Sequence, residues 1–144
     1  MTTMSSKKSM FIVVGVLLLS MCFMEMGAGA CFLKSKARIH IINNVGRPGV
    51  NLSFRCKSKD SDLGSHVLGY RASFSFHFCP NMLGTTLFFC SFAWGGGGQS
   101  HWFDIYEAKR DQNCGDCTWN ITPTGPCLVT SSAPLKRQLC YPWK

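Results

Sequence analysis

Cysteine is the residue type that suggests the most chemistry in this 144-residue sequence. One of the nine cysteines falls in an apolar N-terminal stretch, and the other eight follow it: Cys31, Cys56, Cys79, Cys90, Cys114, Cys117, Cys127 and Cys140. An even number of cysteines in a short chain of secretory type predicts disulfide bonds. Eight cysteines allow many pairings, so the sequence leaves their connectivity open.

The spacing of Cys114 and Cys117 also occurs in zinc knuckles and in redox pairs. A zinc site needs a second cysteine pair or histidines at ligand spacing. The histidines are instead scattered singly: His40, His66, His77 and His101. A redox pair needs a helix after the motif, whereas the TWNI that follows is strand-like. We therefore interpret Cys114 and Cys117 as structural half-cystines with different partners, and predict no metal and no cofactor.

Catalytic groups are poorly supported by the sequence. It has no Gly-x-Ser-x-Gly motif, and no cysteine and histidine form a recognisable local signature. Asp60 and Asp62 suggest a carboxylate pair or a cation site, but Lys57 and Lys59 share their segment and favour a solvated charged turn. Calcium requires more oxygen ligands than this segment offers. We predict that the protein is not an enzyme.

Residues 73–78 alternate between polar and aromatic side chains, and Ala72 continues the apolar face. Such a stripe beside basic residues resembles a stacking platform for single-stranded RNA. A stripe at every second residue is more typical of the core face of a β-sandwich, so we predict no nucleic-acid partner. The alternation leaves His77 on the polar face, as an ordinary surface histidine.

The elements that position these residues are predominantly strands. Val50, Leu52, Phe54 and Cys56 alternate with polar residues, which indicates a half-buried antiparallel strand. Similar runs recur along the chain, separated by turn residues, and no convincing amphipathic helix follows the N-terminal stretch. The pattern predicts an all-β fold, a small disulfide-braced antiparallel β-sandwich of about seven strands.

The first thirty residues have the layout of a secretory signal peptide. Two lysines precede an apolar run at residues 10–24, and Ala28-Gly29-Ala30 supplies small residues for cleavage. The run is shorter than the roughly 20 residues that span a bilayer. We predict a signal peptide at residues 1–30, one domain at residues 31–144, and a secreted, extracellular protein without stable membrane insertion.

The predicted extracellular location gives meaning to two further features. Asn51-Leu52-Ser53 and Asn120-Ile121-Thr122 are sequons, so we predict N-glycosylation at Asn51 and Asn120. The net charge of +8 favours acidic partners such as wall polymers, anionic membranes, acidic receptor faces or nucleic acid. The charge alone does not choose among them.

Several motifs in fixed order resemble the plant self-incompatibility protein family, the S-protein homologues. The similarity covers residues 39–129, nearly all of the predicted domain. It is carried by CKSKDSDLG at 56–64, TTLFFCSF at 85–92, FDIYEAKRD at 103–111, CGDCTWNI at 114–121 and GPC at 125–127. The order and spacing of the motifs make the match specific.

The resemblance implies a small secreted β-sandwich with structural disulfides. Founding members of the family are pistil ligands that act on incompatible pollen through a cell-surface receptor, and their activity has been placed in exposed loops. The matching loop here consists of Lys57, Ser58, Lys59, Asp60, Ser61 and Asp62. The family's usual four cysteines look like Cys56, Cys90, Cys114 and Cys117, which makes the other four additional. The glycine run at residues 95–98, and Asp60-Ser61-Asp62 where relatives often have three acids, depart from the family pattern.

We therefore predict a secreted signalling or recognition protein that binds a cell-surface receptor protein through exposed loops. The alternative is a basic, cysteine-rich defence or effector protein that binds anionic membranes or wall polymers. If the 57–62 loop is not the recognition site, the glycine-rich segment at residues 95–100 is the next candidate.

Overall fold

The computed structural model describes residues 10–12, 31, 34–96, 98–130 and 137–144. The chain divides into two units, Met1–Phe32 and Leu33–Lys144. In the first unit, residues 10–12 are helical and exposed; most of the predicted signal peptide lies outside the described residues. Within the described ranges, no helix has the length and apolar character needed to cross a membrane.

The described part of the second unit folds into nine strands and one short helix. The strands are β1 (Ala37–Asn43), β2 (Leu52–Lys57), β3 (Asp62–Leu68), β4 (Ser73–Phe78), β5 (Leu87–Trp94), β6 (His101–Glu107), β7 (Asp116–Thr122), β8 (Gly125–Thr130) and β9 (Arg137–Cys140), and helix α1 (Ala108–Asp111) follows β6. One sheet has the order β4-β1-β7-β8-β9 and the other β3-β2-β5-β6. The predicted all-β sandwich is confirmed.

Two features of the sheets differ from the prediction. Strands β1 and β7 pair in parallel, whereas all other neighbouring strands are antiparallel. The described residues also form more than seven strands. Part of the excess is β3, which begins inside the predicted loop because Asp62 pairs with Lys57. The rest is β9, in the unpatterned tail, where Cys140 is bonded to Cys127 of β8.

The core lies between the two sheets and follows the alternation of the sequence. Leu52, Phe54 and Cys56 of β2 are buried, facing Ile39 and Ile41 of β1 within one apolar cluster. Burying a large apolar side chain contributes about 1.5–3 kcal/mol, so these alternating faces account for much of the stability of the domain.

The aromatic stripe of β4 belongs to this core, as its spacing predicts. Phe76 is buried, and Phe74 and Phe78 pack against the core cluster. The ring of Phe74 lies 5.4 Å from that of Phe54, and the ring of Phe78 lies 4.5 Å from that of Phe88. These edge and offset contacts add stability beyond the buried area.

A buried ion pair anchors α1 to the sandwich. The carboxylate of Asp111, which is only 3% exposed, accepts hydrogen bonds from Arg110 at 2.9 and 2.7 Å and from the backbone N–H of Glu107 at 2.9 Å. Burial opposes the charge of Arg110, but its bonds to Asp111 outweigh burial and raise the pKa of the guanidinium. The same guanidinium lies 5.0–5.3 Å from three ring centroids, those of Phe103, Trp119 and Tyr141, a cation–π arrangement.

The C-terminal segment is held against the β7–β8 turn. The N–H of Tyr141 donates to the carbonyl of Pro126 at 2.9 Å, and the indole N–H of Trp143 donates to the carbonyl of Pro123 at 3.1 Å. This approach requires a glycine at position 125. Gly125 has φ +145°, and a Cβ there would lie 1.8 Å from the carbonyl oxygen of Tyr141.

All eight cysteines that follow residue 30 are disulfide-bonded. The described pairs are Cys56–Cys90, Cys114–Cys117 and Cys127–Cys140, and Cys31 and Cys79 are bonded as well. The prediction that Cys114 and Cys117 have different partners is wrong. The chain turns sharply after α1, with the N–H of Cys114 donating to the carbonyl of Asp111 at 2.8 Å. The two Cα atoms are thereby brought 5.5 Å apart, a typical disulfide separation.

Candidate recognition site at one end of the sandwich

The predicted recognition loop is a tight hairpin between β2 and β3. The N–H of Ser58 donates to the carbonyl of Ser61 at 2.8 Å. The hydroxyl oxygen of Ser58 accepts bonds from the N–H groups of Asp60, at 3.3 Å, and Ser61, at 3.1 Å. Side-chain acceptance of this kind is the usual way in which serine stabilises a turn. The tip therefore has one defined conformation.

Asp62 fastens the stem of this hairpin. Its carboxylate accepts two bonds from Arg55, at 3.0 and 2.5 Å, and one from the N–H of Gly64 at 3.0 Å. Lys57 lies 3.4 Å away. The bonds from Arg55 and Gly64 hold the pKa of Asp62 well below its ordinary value, and the pKa of Arg55 is raised in turn. Asp62 is therefore a structural residue of the hairpin.

The loop is smaller than predicted. The prediction that residues 57–62 all stand clear of the sheet is wrong for Lys57 and Asp62, which belong to strands and pair with each other. The exposed tip consists of Lys59, Asp60 and Ser61. Within the described residues, the charges of Lys59 and Asp60 take part in no ion pair. These two charges are available to a partner.

A disulfide fixes the base of the hairpin. Cys56 and Cys90 are both fully buried, occupy facing positions on β2 and β5, and are bonded to each other. The tip thus projects from a covalently cross-linked pair of central strands. Exposed loops on a rigid framework are where binding residues are commonly found.

A second turn, between β4 and β5, carries apolar side chains into solvent. Met82 is 60% exposed and Leu83 is 85% exposed. Asn81 closes this turn with bonds to Thr86 (2.8 Å) and Thr85 (2.7 and 2.9 Å). The sequence indicates the turn through Pro80-Asn81 and Gly84. It does not reveal that the two residues between have no core to enter.

Both turns lie at the same end of the sandwich. Lys57, next to the hairpin tip, is paired with Phe89 near the start of β5. Leu87, at the start of β5, faces Glu107 at the end of β6, and the N–H of Ala108 donates to the carbonyl of Thr86 at 3.0 Å. The hairpin tip, the β4–β5 turn and α1 therefore surround one end, which we call the turn end.

The two predicted glycosylation sites lie elsewhere. Asn51 is exposed and precedes β2, so it lies at the end opposite to the turn end, beside the glycine-rich segment that follows β5. Asn120 is half-buried in β7, with a strand on each side. The hydroxyl of Thr122, the third residue of its sequon, donates to the carbonyl of Gly125 at 2.6 Å. Asn51 is the more accessible of the two.

The outer face of the five-stranded sheet brings together a serine, a histidine and an aspartate that the sequence analysis did not group. The hydroxyl of Ser75 lies 2.7 Å from Nδ1 of His40, and Nε2 of His40 lies 2.6 Å from a carboxylate oxygen of Asp116. Strand register alone could have suggested the first contact, since Ser75 faces His40. A hydrolase with such a triad also needs free N–H groups that stabilise the oxyanion of the transition state. Strand β1, which carries His40, does not offer them, because it is paired along both of its edges. The three side chains link β4, β1 and β7.

Comparisons with known proteins agree with this architecture. The sequence profile described as plant self-incompatibility protein S1 matches residues 38–143. S-protein homolog 5 of Arabidopsis thaliana is 45% identical over 107 residues, covering 74% of this chain and 77% of that protein. S-protein homolog 19 of the same plant is 40% identical over 134 residues, covering 88% and 91%.

A solved structure of a Self-Incompatibility Protein Homologue has the same fold, with a TM-score of 0.56 and 17% identity, covering 76% of this chain and 96% of the other. It is described as one of a widespread family of small, highly stable, secreted proteins from plants. Fold and site together define a small, disulfide-braced β-sandwich that presents turns at one end. The chain belongs to the plant self-incompatibility protein S1 family, the S-protein homologues.

Proposed function

We propose that this protein is a secreted, non-enzymatic recognition protein that binds a cell-surface receptor protein through the tip of the β2–β3 hairpin. The observation that carries the proposal is the contrast between stem and tip. In the stem, the charged side chains are paired with one another, since Asp62 forms ion pairs with Arg55 and Lys57. The charges of Lys59 and Asp60 are exposed and have no ion-pair partner among the described residues.

A fixed tip conformation supports this proposal energetically. Ordering a mobile loop on binding costs free energy, and a preorganised loop avoids most of that cost. The bonds to the Ser58 hydroxyl and the Cys56–Cys90 disulfide hold the tip before any partner arrives. Because the two adjacent charges have opposite signs, a partner must place its own charges in the matching order. Such electrostatic complementarity provides specificity more than raw affinity.

Exchange of the two tip charges tests the proposal. The double variant Lys59→Asp with Asp60→Lys keeps the net charge and the exposed position of both side chains and reverses only their order. Labelled wild-type protein and the variant are compared for saturable binding to intact plant cells. We expect the exchange to weaken saturable binding by about tenfold or more, while the melting temperature stays unchanged.

A matched control moves a charge where no recognition is proposed. The double variant Asn44→Arg with Arg47→Asn exchanges two exposed residues of the loop between β1 and β2, at the end opposite to the turn end, and also conserves the net charge. It should bind as the wild type does. If the tip exchange leaves cell binding unchanged, the hairpin is not the recognition site. If binding is unsaturable and depends only on salt, the protein is a non-specific cationic binder of wall polymers or membranes.

A further inference from the structure

The β4–β5 turn exposes apolar surface by construction. Among the described residues Leu83 is the most exposed large hydrophobic side chain, at 85%, and its neighbour Met82 is 60% exposed. The bonds that Asn81 makes to Thr85 and Thr86 hold the turn in place and prevent it from folding back on the sheet. Adjacent apolar residues held out in this way indicate a contact that buries them.

Lysines surround this apolar tip. Lys109 and Leu87 line one hollow beside Gly84, and Lys34 lines another beside Pro80. The lysines of the turn end that are exposed and have no ion-pair partner within the described residues are Lys34, Lys36, Lys59 and Lys109. The acidic residues there without such a pair are fewer, Asp60 and Glu107, and Asp116 bonds to His40. The unpaired charge around the tip is therefore positive.

This combination fits a lipid surface better than a protein surface. Methionine is enriched at protein interfaces, but lysine is depleted there, and leucine is under-represented among their energetically dominant residues. Proteins that bind at a bilayer surface combine apolar side chains that enter the headgroup region with lysine or arginine beside them. A protruding tip can also enter a lipid bilayer without a matching pocket, because the lipids rearrange around it.

We propose that the turn end docks reversibly on an anionic lipid bilayer, with Met82 and Leu83 entering the headgroup region and the lysines facing the lipid phosphates. This interaction goes beyond receptor recognition, since it requires no protein partner. The predicted glycan position, Asn51, lies at the opposite end, where a glycan leaves the docking end clear. Each lysine near an anionic surface strengthens binding by about fivefold, so the docking depends on both anionic lipid and the two apolar side chains.

Sedimentation with protein-free vesicles tests this proposal. The vesicles are phosphatidylcholine with about one-third phosphatidylserine, which supplies an anionic surface, and phosphatidylcholine alone. Wild-type protein with intact disulfides should bind the anionic vesicles. The double variant Met82→Ser with Leu83→Ser should partition about tenfold less, because it loses two apolar side chains.

A matched variant separates the turn from general surface hydrophobicity. Leu139→Ser removes a side chain that is 52% exposed on β9, at the edge of the five-stranded sheet opposite to β4, and should bind the vesicles as the wild type does. All three proteins share the same N-terminus, so an apolar leader would contribute equally to each. The melting temperatures of the three should agree.

Several outcomes would overturn the proposal. They are absence of wild-type binding, equal binding to neutral vesicles, or equal binding by the serine variant, which would indicate electrostatic adsorption alone. Loss of cell binding by the serine variant without any vesicle binding would assign the tip to a protein interface instead. Because the vesicles contain no protein, their result is independent of the receptor test with the exchanged Lys59 and Asp60 charges.

Discussion

Substitution of Gly125 by alanine should detach the C-terminal segment from the sandwich. Gly125 has φ +145°, and an added Cβ would lie 1.8 Å from the carbonyl oxygen of Tyr141. A Cβ atom does not approach another heavy atom this closely in real proteins, and the oxygen atom that it would meet belongs to the backbone. The chain must therefore move either the β7–β8 turn or the segment that begins at Tyr141.

The size of the effect follows from the contacts that would be lost. A non-glycine residue held in such a backbone region costs about 1–3 kcal/mol. Moving residues 141–143 away also breaks the bonds from Tyr141 to Pro126 and from Trp143 to Pro123, each worth about 1 kcal/mol. We expect Gly125→Ala to lower the free energy of unfolding by about 3 kcal/mol or more.

Denaturant unfolding with the disulfides intact measures this loss, and Gly115→Ala is the control. A Cβ on Gly115 would meet nothing within 4 Å, so that variant should match the wild type within about 0.5 kcal/mol. Trp143 provides a local signal, since its ring packs 5.6 Å from Phe92 and 5.7 Å from Trp94. The intrinsic fluorescence of the four tryptophans, to which Trp143 contributes, should change in the Gly125 variant under native conditions.

A loss of less than about 1 kcal/mol, the usual size for an average substitution, with unchanged intrinsic tryptophan fluorescence, would refute this reasoning. It would mean that the β7–β8 turn adapts at little cost and that the close approach of the C-terminal segment is not what requires glycine.

Three further predictions concern single residues. Asp111→Asn should lower the free energy of unfolding, measured with denaturant, by about 3 kcal/mol, which is at the low end for a broken buried pair because the Arg110 side chain is 20% exposed. The control Asp60→Asn, at the exposed tip, should lower it by no more than about 0.5 kcal/mol. Equal effects of the two substitutions would contradict the burial of Asp111. The pKa of Asp62 is lowered in the fold, so its ion pairs stabilise the hairpin fully at a pH above the ordinary carboxyl pKa, and this stabilisation is lost as the pH falls through the folded pKa. An NMR titration of Asp62 should give a midpoint well below about 3.9, and a midpoint at 3.9 would exclude the pair. Cys56→Ser should cost about 2–5 kcal/mol through loss of its disulfide and lower the secreted yield, and a variant with wild-type stability would show that the bond does not support the hairpin.

The sequence predicts best where one period dominates. The alternation of Leu52, Phe54 and Cys56 identifies the inner face of β2 because a strand has only two faces, and the stripe at 74–78 is core for the same reason. The parallel pairing of β1 with β7 is not predictable in this way, since two distant segments must be placed side by side and alternation carries no information on neighbours.

Within the candidate site, charge density was a misleading guide. Four charges at residues 57–62 indicated a solvated loop, yet Asp62 forms bonds with Arg55 from a position seven residues later. Only the hairpin register reveals that these residues face each other. Asp111 shows the same limit, because the sequence does not reveal that its carboxylate is buried against Arg110, whose guanidinium lies among three aromatic rings.

The parallel pair β1–β7 has a consequence for how the chain is synthesised. Strand β1 ends at Asn43, but its partner β7 begins at Asp116. While the chain emerges from the ribosome, β1 can pair with β4 but keeps one edge open until most of the chain is complete. The sheet β3-β2-β5-β6, whose strands span only residues 52–107, can close earlier, with Cys56 and Cys90 already in register. The partly folded chain would therefore first expose one edge of β1, and at this stage chaperones protect such chains from aggregation.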